Sequence, residues 1–239
     1  LYVSTWTINY SIELCDWIVK YMLENTEPSD KHPPFSSLSS VVALIFDYFL
    51  VSSKNECSNE WKDIISIFDG IPTDWIIGLY LLSSIYDELL VSEQVQKIFR
   101  NEYAHCVFQC AYNCLEKTSL TSGVPSDLII DLSTKIISKY LRDKPEYCTF
   151  SEDRELFFGT QCSNRLNEEL KHLELYFKIF QERPTQSALE CIENVAKAID
   201  TYPDQWKPKI ICLLLNRFSD ILTKQIGFDV EMKLIQILS

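Results

Sequence analysis

The densest grouping of chemically capable side chains is His105-Cys106, followed at intervals of four by Cys110 and Cys114. On a helix that spacing lines the three sulfurs along one stripe, with an imidazole beside it. Thiolates and imidazoles are zinc ligands, and a histidine can also activate a cysteine nucleophile. A structural zinc site, however, needs four ligands converging tetrahedrally, which one straight helix cannot supply, and the chain offers no second Cys/His cluster of zinc spacing. Neighbouring side chains on a helix diverge, which separates His105 from Cys106 as a catalytic pair. The expectation is a metal-free packing face in which Cys106, Cys110 and Cys114 join Val107 and Ala111 as small residues that let helices approach closely.

The remaining candidates are carboxylates and two further histidines. His32 precedes Pro33-Pro34 in a loop, and His172 falls among alternating charges on a helix surface. Glu152, Asp153 and Glu155 open an expected helix, where acidic side chains complement the helix dipole, while Glu168 with Lys171 or His172 makes ordinary surface pairs. Neither G-x-S-x-G nor H-E-x-x-H occurs. The chain is therefore expected to bind rather than to catalyse, with no cofactor.

Charge indicates what it would bind. Asp and Glu outnumber Lys and Arg by 34 to 22, a net charge of −12, which works against nucleic-acid phosphates and anionic lipid and attracts cationic protein surfaces. Glu152, Asp153 and Glu155, together with Glu24, Glu27 and Asp30, are the clusters expected to meet a basic partner, the plain alternative being that they keep the protein soluble. The longest apolar run is about seven residues, too short to insert in a membrane. Nine cysteines without a C-x-x-C, set in helical segments, suit reduced thiols and a cytoplasmic or nuclear setting. The sequon at Asn9 lies in an apolar-periodic stretch where a glycan would obstruct packing. Since the chain opens on Leu1 with no basic leader, it is expected to be a piece of a longer protein.

The elements that must position these groups are helices. Apolar residues make up 46% of the 239, enough for a continuous core, and they recur at intervals of three and four rather than in alternation. Only five glycines are present and no G-x-G run, which excludes Rossmann and P-loop folds. Helices are expected over 4–24, 37–53, 59–68, 75–90 and about 92–117. After Gly123 and Pro125, further helices are expected at 126–142, 152–182, 187–200, 205–225 and 229–238. In the first, Trp6, Tyr10, Leu14, Trp17, Ile18, Tyr21 and Met22 form one broad apolar stripe, and in the second Val41, Leu44, Ile45, Tyr48 and Phe49 do so. Thr73, Ser92 and Ser126 are the expected caps, Ser187 with Glu190 a capping box, and the five tryptophans core residues.

About ten helices on short connections fit either a bundle or a solenoid of antiparallel pairs. Trp61-Lys62-Asp63-Ile64-Ile65 and Trp206-Lys207-Pro208-Lys209-Ile210-Ile211 each open a helix after an amphipathic partner, and Trp75-Ile76-Ile77 is a looser third copy. A helix pair takes about 40 residues here, the HEAT and armadillo period. The expected architecture is accordingly all-α, a HEAT/armadillo-like α-solenoid forming one domain over 1–239 with a soft break near 119–126.

Residues 60–118 carry a resemblance. The run Glu60-Trp61-Lys62-Asp63-Ile64-Ile65, the leucine-rich segment Leu79-Tyr80-Leu81-Leu82-Ser83-Ser84-Ile85-Tyr86-Asp87-Glu88-Leu89 with its acidic pair, and Cys114-Leu115-Glu116-Lys117 resemble the importin-β superfamily of nuclear transport receptors. The resemblance implies HEAT repeats, with the small GTPase Ran and cargo proteins as partners. It covers packing positions, so it assigns no contact residue. The function expected is a protein-interaction segment of a HEAT-type receptor or adaptor, the alternative being a constitutive scaffold within a large assembly.

Overall fold

In the computed structural model the described residues are 2–25, 33–52, 58–88, 99, 103–118, 125–142 and 159–223. They form nine α-helices and, among the described residues, no strand: α1 Tyr2–Glu24, α2 Pro33–Ser52, α3 Ser58–Ser66, α4 Pro72–Glu88, α5 Ala104–Thr118, α6 Pro125–Arg142, α7 Gly159–Glu182, α8 Gln186–Lys197 and α9 Lys207–Leu222. Single 3₁₀ turns follow α3 at Ile67–Asp69 and α8 at Ile199–Thr201. The all-helical reading of the apolar period therefore holds. The helices expected at 229–238 and over 92–98 fall outside the described residues, as do the first seven residues of the one expected from 152. Gly159 and Thr160 are helical.

The chain divides into two compact units, Leu1–Tyr140 and Leu141–Ser239. In the first, α4 is the central helix, packing against α1, α2, α3 and α5. Its buried residues Ile77, Leu79, Leu81, Leu82 and Ile85 span about 200° of its circumference, a wide face that suits a helix with several neighbours. The α2–α4 contact is close because Ser39 and Ala43 are small and buried, and Ser39 Oγ lies 2.7 Å from Ser84 Oγ. At Gly78 a β-carbon would come within 2.6 Å of the Phe68 ring, so glycine there lets the 3₁₀ turn lie against α4. An aromatic series, Phe46 on Tyr103 at 5.9 Å, Tyr103 on Phe99 at 6.4 Å and Phe99 on Tyr86 at 5.2 Å, links α2, the start of α5 and α4. Phe108 stacks on Tyr140 at 4.6 Å to hold α5 on α6, and Lys135 and Lys139 of α6 both pair with Asp87 of α4.

In the second unit, α7 and α8 form a helical hairpin across Arg183-Pro184-Thr185, and α9 also packs on α7. Phe177 and Phe218, both buried, meet edge to face at 5.3 Å. Tyr202 donates from its hydroxyl to Glu169 Oε2 at 3.3 Å, which fixes the turn before α9 to α7.

Several local expectations shift. Ser187 and Glu190 lie inside α8, and the cap is Thr185, whose hydroxyl oxygen accepts from Ala188 N–H at 3.2 Å. Proline at 184 cannot donate, so the first residue able to cap after it does so, two positions before the expected box. Thr185→Ala is predicted to cost about 1 kcal/mol in a denaturation series, and no loss would show the cap to be replaced by water. Thr73 does not cap α4, which begins at Pro72; Asp74 instead accepts from Ile71 N–H at 3.2 Å. Likewise Ser126 sits within α6 after Pro125, whose missing N–H suits the first turn. In α2 the inward residues are Phe35, Ser39, Val42, Ala43 and Phe46, with Val41 and Leu44 exposed, because close packing on α4 selects the side carrying the small residues.

Candidate functional site

The cysteine stripe of α5 is part of the core. Val107, Ala111, Cys110 and Cys114 are buried and Cys106 half-buried, and none of the three cysteines is in a disulfide. Burial pushes the Cys114 thiol up from the ordinary 9.0 to about 12, Lys117 partly opposing it. Cys110 also rises to about 12, first through burial and then through Cys106, Cys114 and Asp69, including a hydrogen bond with Cys106. Such thiols stay protonated at neutral pH, which suits packing and not nucleophilic chemistry. The His105 ring is exposed, with Nδ1 3.4 Å from the Tyr140 hydroxyl. Among the described residues no group of three or more His, Cys, Asp or Glu is placed to hold a metal ion.

Of the carboxylates expected to meet a partner, Glu152, Asp153, Glu155, Glu27 and Asp30 lie outside the described residues. Glu24 ends α1, exposed, 3.9 Å from Lys20 Nζ. His32 is outside the described residues and His172 is half-buried on α7. Two of the tryptophans are core residues as expected. Trp75 is buried, donates from Nε1 to Gly70 O at 3.1 Å and lies under Lys117 Nζ at 5.2 Å, and Trp206 is buried before α9. Trp6 and Trp61 have no described side chains.

Trp17 departs from that expectation. The broad stripe read for the first helix is two lines, and only one faces the core. Cys15, Ile18 and Met22 are buried, whereas Tyr10, Leu14, Trp17 and Tyr21 are 54%, 45%, 59% and 42% exposed. At about 100° per residue the centres of the two lines stand roughly 100° apart, so a helix packed on α2 and α4 through the first must present the second outward. The outward line is continuous. Its spacings of four, three and four are those of a coiled-coil seam, it covers about three turns or roughly 16 Å, and Trp17 stacks on Tyr21 with centroids 5.5 Å apart.

Its surroundings are acidic. Glu13, Asp16 and Glu24 are exposed on α1 against one lysine, Lys20, which pairs with Glu24. Asp16 is pushed above the usual carboxylate range, first by burial and then by the like charge of Asp63. The sequence pattern puts these four residues on one stripe with Ile18 and Met22 and predicts Trp17 in the core. The distinguishing signal was available in the spacing, since positions 10, 14, 17 and 21 keep a 3.5-residue period that positions 15, 18 and 22 occupy separately.

No family model, curated protein or solved structure matches the chain. Among the described residues, no helix is long and apolar enough to cross a membrane.

Proposed function

We propose that the chain is a non-enzymatic protein-interaction segment that docks a partner on the outer face of α1. The observation that carries this reading is the line Tyr10, Leu14, Trp17 and Tyr21, four large apolar side chains side by side and exposed. Single exposed apolar residues are common, but a contiguous row with acidic neighbours is what partner sites present. Tryptophan and tyrosine are the side chains that dominate binding energy when a partner covers them. The raised thiol pKa values on α5 support a structural role for the cysteine stripe, the grouping with the most chemically capable side chains.

The finer reading is a HEAT-type receptor or adaptor built of antiparallel helix pairs, for which the α7–α8 hairpin is the local support. Ran and cargo are the partners its resemblance implies, and selective binding of the GTP form of immobilised Ran supports a transport role, whereas no binding to either form favours the constitutive scaffold. A solution radius of gyration well above the roughly 18 Å of a compact chain of 239 residues supports the repeat arrangement.

The interaction reading itself is tested by comparing the proteins that co-purify with the wild-type chain and with Leu14→Asp/Trp17→Ala from its native cells. Both positions are exposed, so folding should change by no more than about 0.5 kcal/mol each. Loss of a defined set of partners is expected, and an unchanged set overturns the proposal.

A further inference from the structure

The geometry points to one class of occupant for this face: a single amphipathic helix of the partner, with an apolar seam and Lys or Arg flanking it. This rests on the reading of α1 as a docking face and adds what docks there.

Three observations select a helix. The exposed residues follow a seam period of four, three and four, which is matched residue for residue by a second helix lying along the first. The row is about three turns long and one side chain wide, a poor fit to a broad flat surface and a good one to a helix with anchors at comparable spacing. Trp17 and Tyr21 are already stacked, so part of the ordering that docking requires is present before binding.

Charge selects basic flanks and argues against a second copy. Glu13 lies beside the row on its solvent side, and Glu24, paired with Lys20, closes its carboxy-terminal end. Two copies of a chain with net charge −12 would bring these carboxylates together, a juxtaposition that costs association energy. A helix with Lys or Arg beside its seam turns the same charges into attraction.

The test uses the full chain and two synthetic 21-residue helices, three heptads each, with Leu at the seam positions and either Lys or Glu beside them. Binding is read by tryptophan fluorescence, with Trp17→Phe identifying the part of the signal from Trp17. The Lys helix is expected to bind at least about tenfold more tightly than the Glu helix, with a preference that shrinks as salt rises. Leu14→Asp should weaken the Lys helix by about tenfold or more. Since that substitution adds negative charge, attraction by charge alone would instead strengthen. Leu215→Asp, on the exposed side of α9, should leave binding unchanged.

Equal binding of the two helices, or binding indifferent to Leu14→Asp, overturns the inference. So does self-association of the free chain that Leu14→Asp abolishes, since the occupant would then be a second copy. If native partners are lost with Leu14→Asp/Trp17→Ala while the Lys helix gains no preference, docking on α1 stands and the basic-helix assignment fails. If the partners are retained, both fail.

Discussion

Phe218→Ala is expected to destabilise the unit formed by residues 141–239 by about 3–5 kcal/mol, the cost of removing a fully buried aromatic ring from a packed interior. Phe218 is the ring through which α9 meets Phe177 of α7, so the substitution leaves a cavity and also ends an edge-to-face contact worth roughly 0.5–1.5 kcal/mol beyond its area. A loss of this size is comparable to a large share of the stability of a unit this small. Hydrogen exchange at amides of α7, α8 and α9 across a urea series would measure it. Leu215→Ala, three residues away and exposed, should shift stability by no more than about 0.5 kcal/mol. A loss under 1 kcal/mol for Phe218→Ala would mean that the α7–α9 contact is not a core.

The second large effect concerns thiols. Cys114 is buried and held at about 12 where 9.0 is ordinary, which lowers its thiolate at neutral pH about a thousandfold before access is considered. Cys191, buried in α8, is raised as well, chiefly by burial and secondarily by Glu190. Iodoacetamide at pH 8 should therefore label exposed Cys212 while leaving Cys114 and Cys191 protected until the chain unfolds. The same shift has a stability consequence. Because the folded pKa lies above the unfolded value, the contribution of Cys114 is complete below about pH 9 and is lost as pH rises toward about 12. Cys114→Ala should flatten that alkaline decline relative to wild type. Labelling of Cys114 as fast as Cys212 in the folded chain would show the α5 face to be open.

The sequence resolved helices better than faces, for a physical reason. Helix formation is written in local spacing, and prolines at 125, 184 and 208 fall at helix starts or connections, where sequence reading expects them. Which apolar side turns inward depends on neighbours distant in sequence. On α1 the stripe was wide enough for either of two lines to be the core, and packing on α2 and α4 chose Cys15, Ile18 and Met22. On α2 the choice followed Ser39 and Ala43, polar or small residues that a hydrophobicity pattern undervalues. The cap of α8 differs in the same way, since Ser187 and Glu190 match a capping-box motif but lie inside the helix, two residues beyond the capping Thr185. The packing role of Cys110 and Cys114 is legible because residues four apart line one face of a helix, and both are buried.

The proposed role of the chain requires that α1 meet another protein. Placing the photo-crosslinker p-benzoylphenylalanine at Tyr21 of the full chain in its native cells addresses this directly, since Tyr21 is exposed at the end of the row and within stacking distance of Trp17. A discrete protein adduct is predicted, competed away by excess wild-type chain and absent when Leu14→Asp is combined with the crosslinker. Failure of Tyr21 and of Tyr10 alike to form any adduct, or an adduct that persists unchanged with Leu14→Asp, would contradict the docking of a partner on this face.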